Sequence, residues 1–207
     1  MAWRDLLDLV FPAQCAACNA LGSGLCIACA PRREPIHIRL PTLHVTASGF
    51  YDGALRSAVL ALKDGRRDVA DALAQRLAQF LEAGALLVPV PTTAKRRRVR
   101  GIDGVELIAR RAAQASGARV AAALVQRAGD TQRGRSRAAR LTAVGRFACV
   151  PGAVAAHRVI LVDDVCTTGT TLRDCAAALR AAGGRVEQAV VVAVTKSQQP
   201  WRAPTRD

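Results

Sequence analysis

Two adjacent carboxylates, Asp163 and Asp164, close an apolar run and lead directly into Val-Cys-Thr-Thr-Gly-Thr-Thr. The run VILVDD at 159–164 is continuous in apolar character, as a strand buried on both faces of a parallel sheet must be. A helical pattern starts at Thr170. The first N–H groups of a helix have no partners inside it, and the helix dipole favours an anion there. Gly169 lets the backbone approach a ligand closely, and Thr167, Thr168, Thr170 and Thr171 add hydroxyl donors. Carboxylates just before such a cradle can accept hydrogen bonds from vicinal ribose hydroxyls and help to hold Mg²⁺, directly or through water. A capped helix alone would explain the threonines but not an acid pair on an apolar strand. The expected ligand is a sugar 5-phosphate. The chain has neither the GxxxxGK[ST] loop nor the GxGxxG fingerprint, so the usual nucleoside triphosphate and dinucleotide readings fail.

A second group of chemically capable residues lies near the N-terminus. Cys15, Cys18, Cys26 and Cys29 form C-x2-C-x7-C-x2-C. Each C-x2-C can turn two thiolates to one side, and two such turns complete a tetrahedron around Zn²⁺. Four sulfur ligands leave no position for water, so the metal would be structural, and so small a segment would depend on it to fold. An iron–sulfur cluster is the alternative occupant. Cys149, Cys166 and Cys175 have no matching spacing, and Cys149 and Cys175 read as small core residues. His37, His44 and His157 show no ligand spacing.

The elements that must position these groups follow from periodicity. The chain has 207 residues, half of them apolar, enough for one α/β domain with a small appendage. Residues 1–42 read as a short amphipathic helix (Trp3, Leu6, Leu7, Val10, Phe11), the cysteine knot and a linker bounded by Pro31, Pro35 and Pro41. From residue 43, strands are expected at 45–51, 86–91, 120–126, 159–164 and 186–195. Helices are expected at 53–63, 68–83, 103–116 and 170–182, and a basic loop at 127–146. This alternation predicts a mostly parallel sheet flanked by helices, over 43–198. Residues 199–207 read as a flexible tail. No stretch of about twenty apolar residues is present, and the first residues are too short and too acidic for a secretory signal. A cytoplasmic protein that does not enter a membrane is expected.

Charge is concentrated. The formal net charge is +14, and 91–146 alone holds fourteen basic and three acidic residues. Such a field attracts phosphates or nucleic acid. That segment contains no aromatic residue for base stacking, which leaves backbone contacts open.

The run 159–171 resembles the ribose 5-phosphate signature of type I phosphoribosyltransferases, with Cys166 where a branched apolar residue is usual. Four segments in order resemble the ComF/GntX-type, competence-associated phosphoribosyltransferase-like proteins. They are 11–30, like that family's N-terminal zinc finger; 49–67, with its LK-x-G element at Leu62, Lys63, Asp64 and Gly65; 86–110; and the acid-pair turn. The resemblance implies a fold that binds phosphoribosyl pyrophosphate (PRPP) with Mg²⁺, and a pentosyl-transferring glycosyltransferase as the activity. Pro89, Val90 and Pro91 would form the pyrophosphate-side loop, and 127–146 a flap over the site. It also implies an association with DNA uptake and natural competence. In two places the chain departs from that pattern. The run Arg100-Gly101-Ile102-Asp103-Gly104 stands where an aromatic and Asn-Gln often follow Arg-Gly. Gln132 can serve in the flap, but Ala143 falls where Asn is expected.

Asp163, Asp164 and Lys63 are the candidates for catalysis. Asp163, Asp164, Thr167, Thr168, Gly169, Thr170, Thr171, Pro91, Lys95 and Arg100 are the candidates for PRPP binding, and Cys15, Cys18, Cys26 and Cys29 for metal. Arg96, Arg133, Arg135, Arg137 and Arg140 are further cations for a pyrophosphate leaving group, and Asp103 and Glu106 are candidate bases. The competing reading is a non-catalytic, nucleic-acid-associated competence factor that keeps the PRPP-binding fold, with single-stranded DNA or the competence machinery as partner.

Overall fold

The computed structural model describes residues 12–31, 34–92, 103–127 and 142–197. The expected N-terminal helix and the tail lie outside them, as do Lys95, Arg96, Arg100, Gln132, Arg133, Arg135, Arg137 and Arg140. In chain order the elements are β1 (Ile36–Leu40), β2 (Leu43–Ala47), α1 (Gly53–Lys63), α2 (Val69–Ala78), β3 (Leu86–Pro89), α3 (Gly104–Ser116), β4 (Arg119–Val120), β5 (Leu124–Gln126), β6 (Thr142–Val144), β7 (Phe147–Cys149), β8 (Arg158–Cys166), α4 (Thr170–Ala181) and β9 (Arg185–Val194).

Six strands form the main sheet in the order β1-β2-β9-β8-β3-β4. Every pairing is parallel except β1 with β2. Both faces are covered, which is why β8 reads as an unbroken apolar run. Val159 and Leu161 pack with β1, β2 and α4, and Ile160 and Val162 pack with α1, α2 and α3. This is the mostly parallel, helix-flanked architecture expected from the alternation of elements. Cys149 and Cys175 are fully buried among apolar neighbours, as small core residues would be.

Several local expectations need correction. The Pro-bounded stretch read as a linker contains β1, whose Ile38 and Leu40 are buried on one face. The helix expected to reach residue 83 stops at Ala78. Phe80 and Leu81 then donate N–H to Leu77 and Ala78, three residues back, so the chain continues as turns. The strand expected at 120–126 is two strands in two sheets. β4 extends the main sheet, while β5 pairs with β7, and β7 with β6, in an antiparallel sheet of order β5-β7-β6. That second sheet packs against α4 and covers part of the stretch read as a basic loop.

Candidate functional site

β3 and β8 run side by side to the C-terminal edge of the sheet, where Val90 donates its N–H to the Val162 carbonyl at 2.9 Å. Beyond that pair the chains diverge and open a cavity of about 320 Å³. Asp163, Asp164, Lys63, Pro91, Thr92 and Thr171 line it, and Gln126, Arg146 and Phe147 form a wall from the second sheet. Ligands in open α/β sheets sit at this edge.

The acid pair is locally fixed. Asp163 Oδ1 accepts the Asp164 N–H at 2.8 Å, and Lys63 Nζ lies 3.0 Å from Asp164 Oδ2. Burial, then the neighbouring charge of Asp164, pushes the Asp163 carboxyl well above the usual carboxylate range. The Asp164 amide and the Lys63 ammonium pull the other way without prevailing. Two hard oxygen donors at one mouth suit Mg²⁺.

The loop after the acids is shaped by its glycine. Gly169 precedes α4 in the left-handed region, with φ 72°, and a Cβ there would stand 2.5 Å from Leu40 Cδ1. Both facts call for glycine. Thr167, Thr168 and Thr170 are exposed. The Thr168 and Thr170 hydroxyls lie 3.0 Å apart, and Thr170 donates its N–H to Thr168 Oγ1 at 3.4 Å. Cys166, the departure from the signature, is buried in the core. Burial, then the charge of Asp163, pushes its thiol up to about 11.

Arg146 was not among the expected cations. Its Nε pairs with Asp174 at 2.9 Å, its guanidinium reaches Thr171 Oγ1 at 3.5 Å, and it lies 5.7 Å from the Phe147 ring centroid. The signal available in the sequence was Val-Gly-Arg-Phe. Gly145 at φ 62° turns the chain between β6 and β7, and the hairpin carries Arg146 to the cavity.

Asp103, a candidate base, is occupied structurally. It caps α3 by accepting the Glu106 N–H at 3.2 Å, and it accepts the Thr92 N–H and hydroxyl, each at 3.2 Å. It thereby joins the two ends of the segment that carries Lys95 and Arg100. Glu106 pairs with Arg110 at 2.6 Å on the same helix.

The four N-terminal cysteines converge, their sulfurs all within 4.8 Å of one another. Cys18 Sγ and Cys26 Sγ lie 3.7 Å apart, and the edge of a tetrahedron with arms of about 2.3 Å is about 3.8 Å. The donor set therefore fits Zn²⁺. Burial raises the Cys15 thiol, but hydrogen bonds from the Cys26, Ala17 and Cys18 backbone outweigh it and bring the thiol down to about 6. Hydrogen bonds with the Cys18 and Cys26 sulfurs, then burial, hold Cys29 up at about 12. The segment is docked on the body. A Cβ on Gly24 would fall 2.4 Å from the Val69 Cα. The buried Arg76 donates to the Ala30 carbonyl at 2.7 Å and the Pro31 carbonyl at 3.2 Å. Arg66 donates to the Gln14 carbonyl and pairs with Asp68.

An open, mostly parallel α/β sheet with a cavity at its C-terminal edge defines a ligand-binding class of α/β protein. More specifically, the chain belongs to the phosphoribosyl transferase domain family, whose model matches residues 56–207. Among solved structures it is similar to the adenine phosphoribosyltransferase of Thermoanaerobacter pseudethanolicus, at 17% identity over 66% of this chain and 72% of that one, with a TM-score of 0.41. It is also similar to the adenine phosphoribosyl transferase of Trypanosoma brucei solved with AMP, pyrophosphate and ribose-5-phosphate, at 12% identity over 81% and 91% of the two chains, TM-score 0.40. A third similarity is to an allosteric regulatory enzyme of purine biosynthesis, at 24% identity and TM-score 0.37. This chain covers 62% of its own length there and 25% of that enzyme's. No curated protein matches.

Proposed function

We propose that the chain binds PRPP together with Mg²⁺ at the acid-pair turn and transfers its phosphoribosyl group to an acceptor. The observation that carries this reading is one cavity holding Asp163, Asp164 and Thr171 with Pro91 and Lys63 at the end of the parallel sheet. In this reading the amides and hydroxyls at 167–171 take the 5-phosphate, and Asp163 and Asp164 take the ribose hydroxyls. Residues 91–100 take the pyrophosphate. Transfer breaks the bond from C1 to pyrophosphate as positive charge grows on the sugar and negative charge on the leaving group. Cations at the pyrophosphate side would stabilise that departure. Mg²⁺, when bound, would supply further charge neutralisation there. The second sheet, which walls the cavity, would shield the sugar from water.

On this reading residues 1–42 carry the zinc-bearing segment together with β1, and 43–198 hold the rest of the PRPP-binding unit of a cytoplasmic protein. Among the described residues no helix is long and apolar enough to cross a membrane. The order of the four segments noted above supports kinship with the ComF/GntX-type proteins, and with it a role in DNA uptake.

Calorimetry with PRPP and Mg²⁺, repeated on Asp163→Ala and Asp164→Ala, tests the site. Binding by the unmodified chain that is lost in folded variants supports it, and binding that survives both substitutions rejects it. Pyrophosphate release during a screen of bases and nucleotides tests transfer. Steeply salt-dependent binding of single-stranded DNA, unaffected by both substitutions, would favour the non-catalytic nucleic-acid reading instead.

A further inference from the structure

Lys63 is one of three lysines in the chain, and its ammonium reaches the cavity from the end of α1. It lies 3.0 Å from Asp164 Oδ2, with 29% of the Lys63 side chain and 17% of the Asp164 side chain exposed. The backbone behind it is held. Leu62 is buried, and the first residue of α3, Gly104, has room for no Cβ without pressing to 3.0 Å on Leu62. The N–H groups of Asp64, Gly65 and Arg66 return to the carbonyls of Leu60, Leu62 and Ala61. Arg66 then anchors the turn through Gln14 and Asp68. A lysine on so fixed a turn is placed at the acid pair by the fold.

Two adjoining carboxylates beside a phosphate cradle pose an electrostatic problem, because the ligand and the acids repel. A divalent cation is one solution. A fixed ammonium is another, and the two compete for the same oxygen of Asp164, since like charges within a few ångströms in a partly buried site repel strongly.

We propose that Lys63 is a resident counter-ion for the acid pair. Its ammonium takes the side of Asp164 that a divalent cation would otherwise occupy, so the bare site binds such ions weakly and accepts a sugar phosphate with reduced dependence on them. This rests on the sugar-phosphate reading of the site. Lys63 acts through Asp164 and is a positioning residue.

The test uses the full chain with its cysteine site loaded with zinc. Mn²⁺ alone is titrated and read by electron paramagnetic resonance, for the unmodified chain, Lys63→Met, Lys63→Gln and Lys63→Arg. Each protein is checked for folding by circular dichroism. Expected are at least tenfold tighter Mn²⁺ binding in Lys63→Met and Lys63→Gln, and an affinity near that of the unmodified chain in Lys63→Arg. In PRPP titrations, the gain from added Mg²⁺ should be larger in Lys63→Met than in the unmodified chain. Equal Mn²⁺ affinities in the unmodified and neutral variants, including no binding by either, overturn the proposal. A Mg²⁺ gain that does not change in Lys63→Met overturns it as well. Failure is distinguishable from failure of the parent reading. An unmodified chain that binds no PRPP with or without Mg²⁺ removes the sugar-phosphate function, whatever the Mn²⁺ titration shows.

Discussion

The cysteine cluster and the acid pair each gather groups that repel once ionised, and they resolve the conflict in opposite ways. At the cluster, sulfurs face one another and backbone N–H groups, an arrangement that an external ion completes. At the acid pair, a lysine of the chain itself stands against one carboxylate, and the other is pushed toward its neutral form. The first arrangement suits a ligand that never leaves, because a bound ion stabilises a segment with so small a core of its own. The second suits a ligand that must come and go, because the bare site is already partly neutralised.

The largest expected effect tests the first half of that contrast. Cys26→Ser should lower bound zinc from one equivalent to well below it. It should also cost about 3 kcal/mol or more of stability, read by metal analysis and thermal unfolding. An unchanged melting temperature would show that the cluster does not hold the segment together.

Gly169→Ala is expected next in size. The left-handed backbone and the overlap with Leu40 together should cost about 1–3 kcal/mol and should also weaken binding of ribose 5-phosphate. A variant as stable as the parent would mean that β1 yields to the added carbon.

The smallest effect runs in the opposite direction. The Asp163 carboxyl in the folded chain sits above its unfolded value of about 3.9. The folded state therefore holds that proton more tightly. Its contribution to stability is complete below about pH 3.9 and is lost as pH rises through the folded value. Asp163→Asn should therefore melt higher than the parent at neutral pH, with the gap closing toward acid pH, while PRPP binding falls. A lower melting temperature at neutral pH would show that the charged carboxylate is well compensated, and the contrast between the two sites would weaken.

Both sites were legible in the sequence because each is local. Four cysteines within fifteen positions, and an acid pair nine residues before the first turn of α4 is complete, declare themselves by spacing. What the sequence hid is non-local or flanked by misleading residues. β1 alternates Ile36, Ile38 and Leu40, but Pro35 and Pro41 at its ends read as a linker. Lys63 could be picked out by its rarity and by resemblance, but its contact with Asp164 needs the packing of α1 against β9, the strand beside β8. Arg146 and Asp103 are two more site residues whose places depend on distant contacts. The hairpin brings the arginine to the cavity, while capping of α3 and bonds to Thr92 occupy the aspartate.

The contact between Gly169 and Leu40 bears on how this protein can be trimmed. The cradle rests on an edge strand that enters the body directly after the cysteine segment, so a minimal version starting at residue 43 would discard the floor beneath its own ligand loop. Biochemical dissection should keep the appendage attached, and a shortened chain that failed to bind would say nothing about whether zinc takes part in recognition.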